Sequence, residues 1–231
     1  INVKFDSPIP LFLLDNFSFT TGFRLKIHGG LPIGHVTNTF LVNGEPTESK
    51  LASGCKGAQR VIVRVRGREA HSAYAHLGSS ALEPLLDMLP QLRALVLPVD
   101  PVLGETTYNI GVLRAGTEAN IVPGLAEAEI MIRLVGDVGP VKQAFSDWAG
   151  TRAELIWGSH IPAQYFHVLN GFEVVPVAYT SDIPLLDRWG TPLLFGPGSI
   201  HVAHTPIEYV DVAELEASVG AYERIVRTLL A

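Results

Sequence analysis

The most regular hydrophobic pattern lies in the middle third of the chain. Over residues 60–67, Val61, Val63 and Val65 alternate with Arg64 and Arg66, which predicts a half-buried strand. Ser79 and Ser80 lead into residues 81–96, where Leu82, Leu85, Leu86, Leu89 and Leu92 fall at helical spacing. Ser80 is the expected N-cap, and Pro90 is expected to kink or locally unwind this helix. Residues 106–113 are rich in β-formers, and residues 126–134 alternate again, with Ala128, Ile130, Ile132 and Leu134 opposite Glu127, Glu129, Met131 and Arg133. Residues 138–149 read as a second helix carrying Val141, Phe145 and Trp148, with Pro140 tolerated in its first turn. Residues 152–157 make a last short strand. The order β-α-β-β-α-β is that of the split βαβ, or ferredoxin-like, unit.

On either side the pattern changes. A short helix is expected over 182–189, a buried strand over 192–195, and a Gly-Pro-Gly turn at 196–198. Asp211-Val212-Ala213-Glu214 reads as a capping box opening a terminal helix with the stripe Leu215, Val219, Tyr222, Val226 and Leu229. A strand between helices implies an α/β layer, a different architecture from the middle unit. Residues 1–56 give weaker signals: an apolar run at 9–14 and possible strands at 23–27 and 39–42.

Composition narrows the classes. The 231 residues are 47% hydrophobic and 17% charged, which excludes a disordered chain. A net charge of −6 argues against nucleic-acid binding and against a polybasic membrane surface. No apolar run reaches the ~18 residues a spanning helix needs, and the start lacks a signal-peptide layout. Cys55 is the single cysteine, so neither a disulfide framework nor a Cys-built zinc site is available. The expectation is a soluble cytoplasmic protein, and the eight histidines become the first candidates for chemistry.

The segment from Gly196 to Glu208 follows a buried strand, where α/β sheets usually bind ligands, and holds His201, His204 and a carboxylate. His204 with a carboxylate from elsewhere is a metal-site candidate; the alternative is a loop with ordinary polar histidines. Glu45, fixed before Pro46, is a second candidate that could equally be a simple turn. Gly34-His35-Val36 is a weaker third. The row Arg60, Arg64, Arg66, Arg68 invites a phosphate-binding reading, but with the acidic balance it is read as a solvated strand face.

Taken in order, Gly44-Glu-Pro-Thr, Lys56-Gly57, residues 65–72 around His71, Gly116-Thr-Glu-Ala-Asn120-Ile-Val-Pro, Ile130-Met-Ile-Arg133 and Gly196-Pro-Gly-Ser with Ala203-His204 and Glu208 form a series. That series resembles the M20 family of metallopeptidases and amidohydrolases, which includes acetylornithine deacetylase, succinyl-diaminopimelate desuccinylase, aminoacylase and glutamate carboxypeptidase. The resemblance runs from about Leu41 to Ala231. It implies an α/β fold: a zinc-peptidase-like catalytic domain, here residues 1–56 and 159–231, interrupted by a ferredoxin-like lid and dimerisation domain, residues 57–158. It further implies that Glu45 and His204 are metal ligands, with His35 matching the start of the family's metal site. His71 resembles the lid histidine that polarises the scissile carbonyl in the partner subunit's site. Asn120 and Arg133 resemble lid residues that hold the substrate carbonyl and carboxylate, and Gly198 is carried over as a substrate-binding position. From the residues alone, Asn120 could instead set the turn before Ile121, and Arg133 could pair with Glu127 or Glu129.

The implied cofactor is a pair of divalent ions, Zn²⁺ first and Co²⁺ or Mn²⁺ as alternatives, which activate water and stabilise the oxyanion. The implied substrate is an N-acyl amino acid or small peptide with a free carboxylate, and the implied partner a second copy bound through the lid. The pattern also breaks. The family's His-x-Asp continues here as Gly34-His35-Val36-Thr37, and its bridging aspartate and Glu-Glu pair are absent from the sequence. Two readings follow: segments of a catalytically complete protein, or a shortened, inactive relative acting as a dimeric binding or regulatory protein. Half a central sheet would expose edges and apolar faces, which favours the first. A serine or cysteine hydrolase using Ser199 or Cys55 is disfavoured, because Ser199 lacks a nucleophile elbow and Cys55 a base.

Overall fold

The computed structural model describes residues 39–186 and 189–231. In chain order the elements are β1 (Phe40–Asn43), β2 (Leu51–Cys55), β3 (Gly57–Arg66), α1 (Leu82–Met88), β4 (Val99–Asp100), β5 (Gly104–Glu105), β6 (Thr107–Ala115), β7 (Leu125–Leu134), α2 (Val138–Ala149), β8 (Glu154–Ile161), β9 (Gln164–Tyr165), β10 (Val174–Val177), β11 (Thr191–Leu194) and α3 (Val212–Leu230). Two compact units divide the described residues, one of 55–164 with 178–180, the other of 39–54, 165–177, 181–186 and 189–231.

In the first unit, β6, β7, β3 and β8 form one sheet in that order, every neighbouring pair antiparallel. Alternation decides its faces. Val61 and Val63 on β3, and Ala126, Ala128, Ile130, Ile132 and Leu134 on β7, are buried against Leu85, Met88 and Leu92 and against Val141, Phe145 and Trp148 of α2. Phe145 meets Trp148 and Trp157 edge-on, at centroid separations of 5.8 and 6.0 Å. The opposite, open face carries Arg60, Arg64, Glu127, Glu129 and Arg133, as the two-residue period requires. Connection and strand order together are those of a ferredoxin-like unit.

Pro90 acts as the sequence foretold. The helix ends at Met88, and a 3-10 segment, Leu89–Ala94, carries Pro90 in its first turn. Ser80 accepts the Glu83 N–H at 3.3 Å, although the helix begins one residue later than expected. A 3-10 turn at Ser72–Leu77, absent from the sequence reading, follows His71.

In the second unit, β1 and β11 run parallel, Phe40 facing Thr191 and Asn43 facing Leu194. Leu51, Leu169, Leu193, Phe195 and Ile225 form its core, with Phe40, Val42, Phe172 and Tyr222 packed around them. Tyr222 donates to the Phe195 carbonyl at 2.7 Å, and burial drives its phenol pKa well upward. Two expectations are corrected here. The segment 182–189 forms only a 3-10 turn, Ile183–Leu185, among its described residues, with Pro184 in the first turn, where it is tolerated. The capping box is half made: Asp211 accepts the N–H groups of Ala213 and Glu214, but the Glu214 carboxylate does not return to it. It accepts instead from the Gly198 N–H and the Ser49 hydroxyl, both at 2.9 Å.

Candidate active site

Because β1 and β11 are parallel, their carboxyl ends emerge together, and each is followed by a glycine-bearing loop. Phe195 N–H donates to the Asn43 carbonyl at 3.0 Å, which continues the pairing one step past the strands. The two loops then lock. Thr47 and Ser49 donate their N–H groups to the Gly196 carbonyl, each at 3.0 Å, and Glu48 donates to the Gly198 carbonyl at 2.9 Å. The Thr47 hydroxyl accepts the Gly196 N–H at 3.0 Å. A Cβ on Gly196 would lie 2.4 Å from the carbonyl oxygens of both Gly44 and Glu45, so only glycine fits this approach. Glu48 and Ser49 both take left-handed backbone conformations, φ 56° and 58°, rare for residues with side chains.

This lock fixes Glu45. Its N–H donates to the Asn43 side-chain oxygen at 3.1 Å, and its Oε1 accepts from the Asp182 N–H at 3.2 Å and, at 3.4 Å, from the Asn43 amide. The residue is 8% exposed. Burial pushes its carboxyl from 4.5 up to about 7, and the Asp182 carboxylate adds to the shift, while the bonds from Asp182 N–H and Asn43 act against it. No cation pairs with it among the described residues.

His204 lies in the same unit, after a 3-10 turn at Ile200–Val202, with φ 61°. Its N–H donates to Glu208 Oε2 at 2.9 Å, and its imidazole is exposed. Among the described residues, no group of three or more His, Cys, Asp or Glu side chains is gathered for a metal ion. His35 lies outside the described residues.

The remaining candidates belong to the other unit. His71 Nδ1 accepts the Ala73 N–H at 3.1 Å, which leaves Nε2 to carry the proton of the neutral ring and face outward as a donor. Asn120 is beside it: the Asn120 carbonyl accepts the Ser72 N–H at 2.8 Å, and His71 bridges Ile121. Arg133 sits near the far end of β7, eight residues from Leu125, roughly 26 Å away at strand rise. His71 and Asn120 therefore share one end of this unit, and Arg133 occupies the other. The possible pairing of Arg133 with Glu127 or Glu129 is not made. Glu127 binds Arg64 at 2.5 Å, and Glu129 binds Arg60 at 2.7 Å, which holds its carboxyl below the usual range. Arg133 instead donates to the Thr180 hydroxyl at 3.0 Å.

The sequence profile described as "Peptidase dimerisation domain" matches residues 53–154. A Schizosaccharomyces pombe protein described as peptidase M20 domain-containing is 40% identical over 186 residues, 79% of this chain and 46% of its own length. A probable carboxypeptidase of Aspergillus terreus is 33% identical over 246 residues, 95% of this chain and 57% of its own. The chain belongs to the M20 peptidase family. It spans about half the length of the curated M20 relatives it matches. Solved structures agree at the level of fold: a Staphylococcus aureus tripeptidase superposes with TM-score 0.60 at 17% identity, covering 79% of this chain and 54% of that one. A Bacillus cereus aminopeptidase does so with TM-score 0.57 at 19% identity, covering 79% and 54%.

For an M20 chain the donor chemistry at Glu45 is apt. A buried carboxylate with a second carboxylate nearby and no cationic partner is stabilised by a divalent ion. Gly198 looks different from its expected role. Its N–H is taken by Glu214 and its carbonyl by Glu48, so it serves the loop lock. Ser199 donates to Glu48 at 3.2 Å and accepts from the His201 N–H, and Cys55 is fully buried, so neither is presented as a nucleophile. Sequence reasoning passed over Asp182 and gave Lys56 and Glu208 no task. Only the position of Lys56 and Glu208 inside the ordered motifs could have flagged them.

Proposed function

We propose that this chain serves a metal-dependent hydrolase that cleaves an amide bond in an N-acyl amino acid or small peptide bearing a free carboxylate. Glu45 carries the reading: a carboxyl buried at the carboxyl ends of parallel strands, raised to about 7 and unpaired by any cation among the described residues. Glu45 and His204 would hold the ions, with His35 as a further ligand. Such a pair of ions, Zn²⁺ in our reading, would supply Lewis acidity toward the scissile carbonyl and lower the pKa of the attacking water. The chain's own residues do the rest. Arg133 orients the substrate carboxylate through parallel hydrogen bonds, Asn120 holds the carbonyl, and the Nε2–H of His71 donates to the developing oxyanion.

The separation of His71 from Arg133 supports a site completed by a second copy, with His71 acting in trans in a homodimer built through the lid. Among the described residues its edge strand β6 pairs on one side only and exposes Ile110 and Leu113, which suits that contact. Among the described residues no helix is long and apolar enough to cross a membrane, and a single buried Cys55 suits a cytoplasmic setting. The test is turnover of N-acetyl amino acids and dipeptides by the purified protein with Zn²⁺, Co²⁺ or Mn²⁺ added. Release of free amino acid that chelation abolishes supports the reading. No turnover with any of them, together with a stable dimer, supports the inactive binding protein suggested by the missing Glu-Glu pair.

A further inference from the structure

The open face of the lid sheet keeps a nearly complete account of its charges. Arg64 pairs with Glu127 and Glu154, Arg66 with Glu154, and Arg60 and Arg114 with Glu129. Two cations toward the far end of that face have no carboxylate within ion-pair distance among the described residues. One is Arg133. The other is Lys56, which is 8% exposed.

These two belong together. Gly57 faces Leu134 in the last register pair of β3 and β7, and Ala58 faces Arg133. Lys56 lies one residue beyond, so strand alternation returns it to the face of Ala58 and Arg133. That makes it the diagonal neighbour of Arg133, at roughly 7–8 Å along the sheet. Thr180 links them: its hydroxyl accepts from Arg133 Nη1 at 3.0 Å and donates to the Lys56 carbonyl at 3.0 Å. Lys56 Nζ donates to the Glu105 carbonyl at 2.5 Å. An ammonium has three N–H donors and a guanidinium five, so most of the donor capacity here has no acceptor among the described residues. Two like charges side by side in a mostly buried setting repel, and one anion between them removes the penalty.

We infer that Lys56 and Arg133 form a two-cation subsite for the free carboxylate of the substrate, the guanidinium gripping it through parallel bonds and the ammonium adding a point charge. The inference rests on the hydrolase reading above and adds Lys56 as a substrate-contacting, specificity-determining residue. A planar carboxylate suits the pair, since arginine matches its two oxygens and lysine accepts any approach.

Binding of N-acetyl amino acids from each side-chain class, each compared with its own primary amide, tests this by calorimetry on wild type, Lys56→Met, Lys56→Arg and Arg133→Met. Wild type is expected to prefer an acid over its amide by about tenfold or more, Lys56→Met to cut that ratio about tenfold, and Lys56→Arg to keep most of it. Arg133→Met should cut the ratio at least as far. A ratio unchanged in Lys56→Met, or acid and amide weakened equally, overturns the inference and leaves Lys56 as an anchor for the Glu105 carbonyl. Absence of any acid preference in wild type overturns it too. Turnover separates the two readings: hydrolysis with no effect of Lys56 on the ratio sinks the subsite alone. A Lys56-dependent ratio without hydrolysis under any metal keeps the subsite and sinks the hydrolase.

Discussion

Glu45 shows how one side chain couples stability to pH. Its carboxyl stands at about 7 in the fold against an ordinary 4.5, so the folded state binds this proton more tightly than the unfolded chain. The resulting stabilisation is complete below the ordinary value and is lost as pH rises through about 7. Metal-free protein should therefore weaken between about pH 5 and about pH 8. Glu45→Gln, which cannot ionise, should restore up to about 3 kcal/mol at the upper end. Urea melts at both pH values check this, and a wild type equally stable at both would contradict it. Glu208 acts at the same scale through the backbone. Its carboxylate caps the amide of a histidine held at φ 61°, a conformation its neighbours must enforce. With His204 as a metal ligand, as proposed, Glu208→Ala is expected to lower Co²⁺ affinity by roughly 10–100-fold, the range for losing a group that orients a ligand, while Glu208→Gln retains most of it. Titration of the cobalt absorption bands measures both.

The elements divide sharply by how much of them the sequence reveals. Strands β3 and β7 and helix α2 are legible because one face is buried and the other wet, so Val61 to Val65 and Ala126 to Leu134 carry a clean period. Strand β2 is silent: four of its residues, Leu51, Ala52, Gly54 and Cys55, are buried, so burial does not alternate. The turn after His71 escapes because its residues are exposed and are held by an imidazole–amide bond together with backbone bonds to the His71 and Asn120 carbonyls. Glu214 misleads for a similar reason. Its spacing fits a capping box, but Gly198 and Ser49 compete for the carboxylate and win, contacts 16 and 165 residues away in the chain. Glu45 was visible as a type and a motif, whereas its burial depends on Asn43, Asp182 and the Gly196 loop together. At this scale β6 also makes a claim. Replacing Ile110 and Leu113 by lysine on this one-sided edge is expected to shift the protein toward monomer in sedimentation experiments with little loss of melting temperature. An unchanged sedimentation coefficient would place the contact elsewhere.

For the whole molecule, the separation of His71 from Arg133 matters most. In the proposed hydrolase, His71 and Arg133, at opposite ends of one unit, would contribute to different reaction centres of a dimer. Partner exchange then has a genetic signature. A preparation of His71→Ala alone and one of Arg133→Met alone should each be inert. Unfolded together and reassembled in equal amounts, they should regain about a quarter of the wild-type rate, because half the dimers are mixed and each mixed dimer holds one undamaged centre. Two broken proteins would thus repair each other, and a cell carrying one copy of each allele would grow where neither homozygote does, provided the reaction is essential to it.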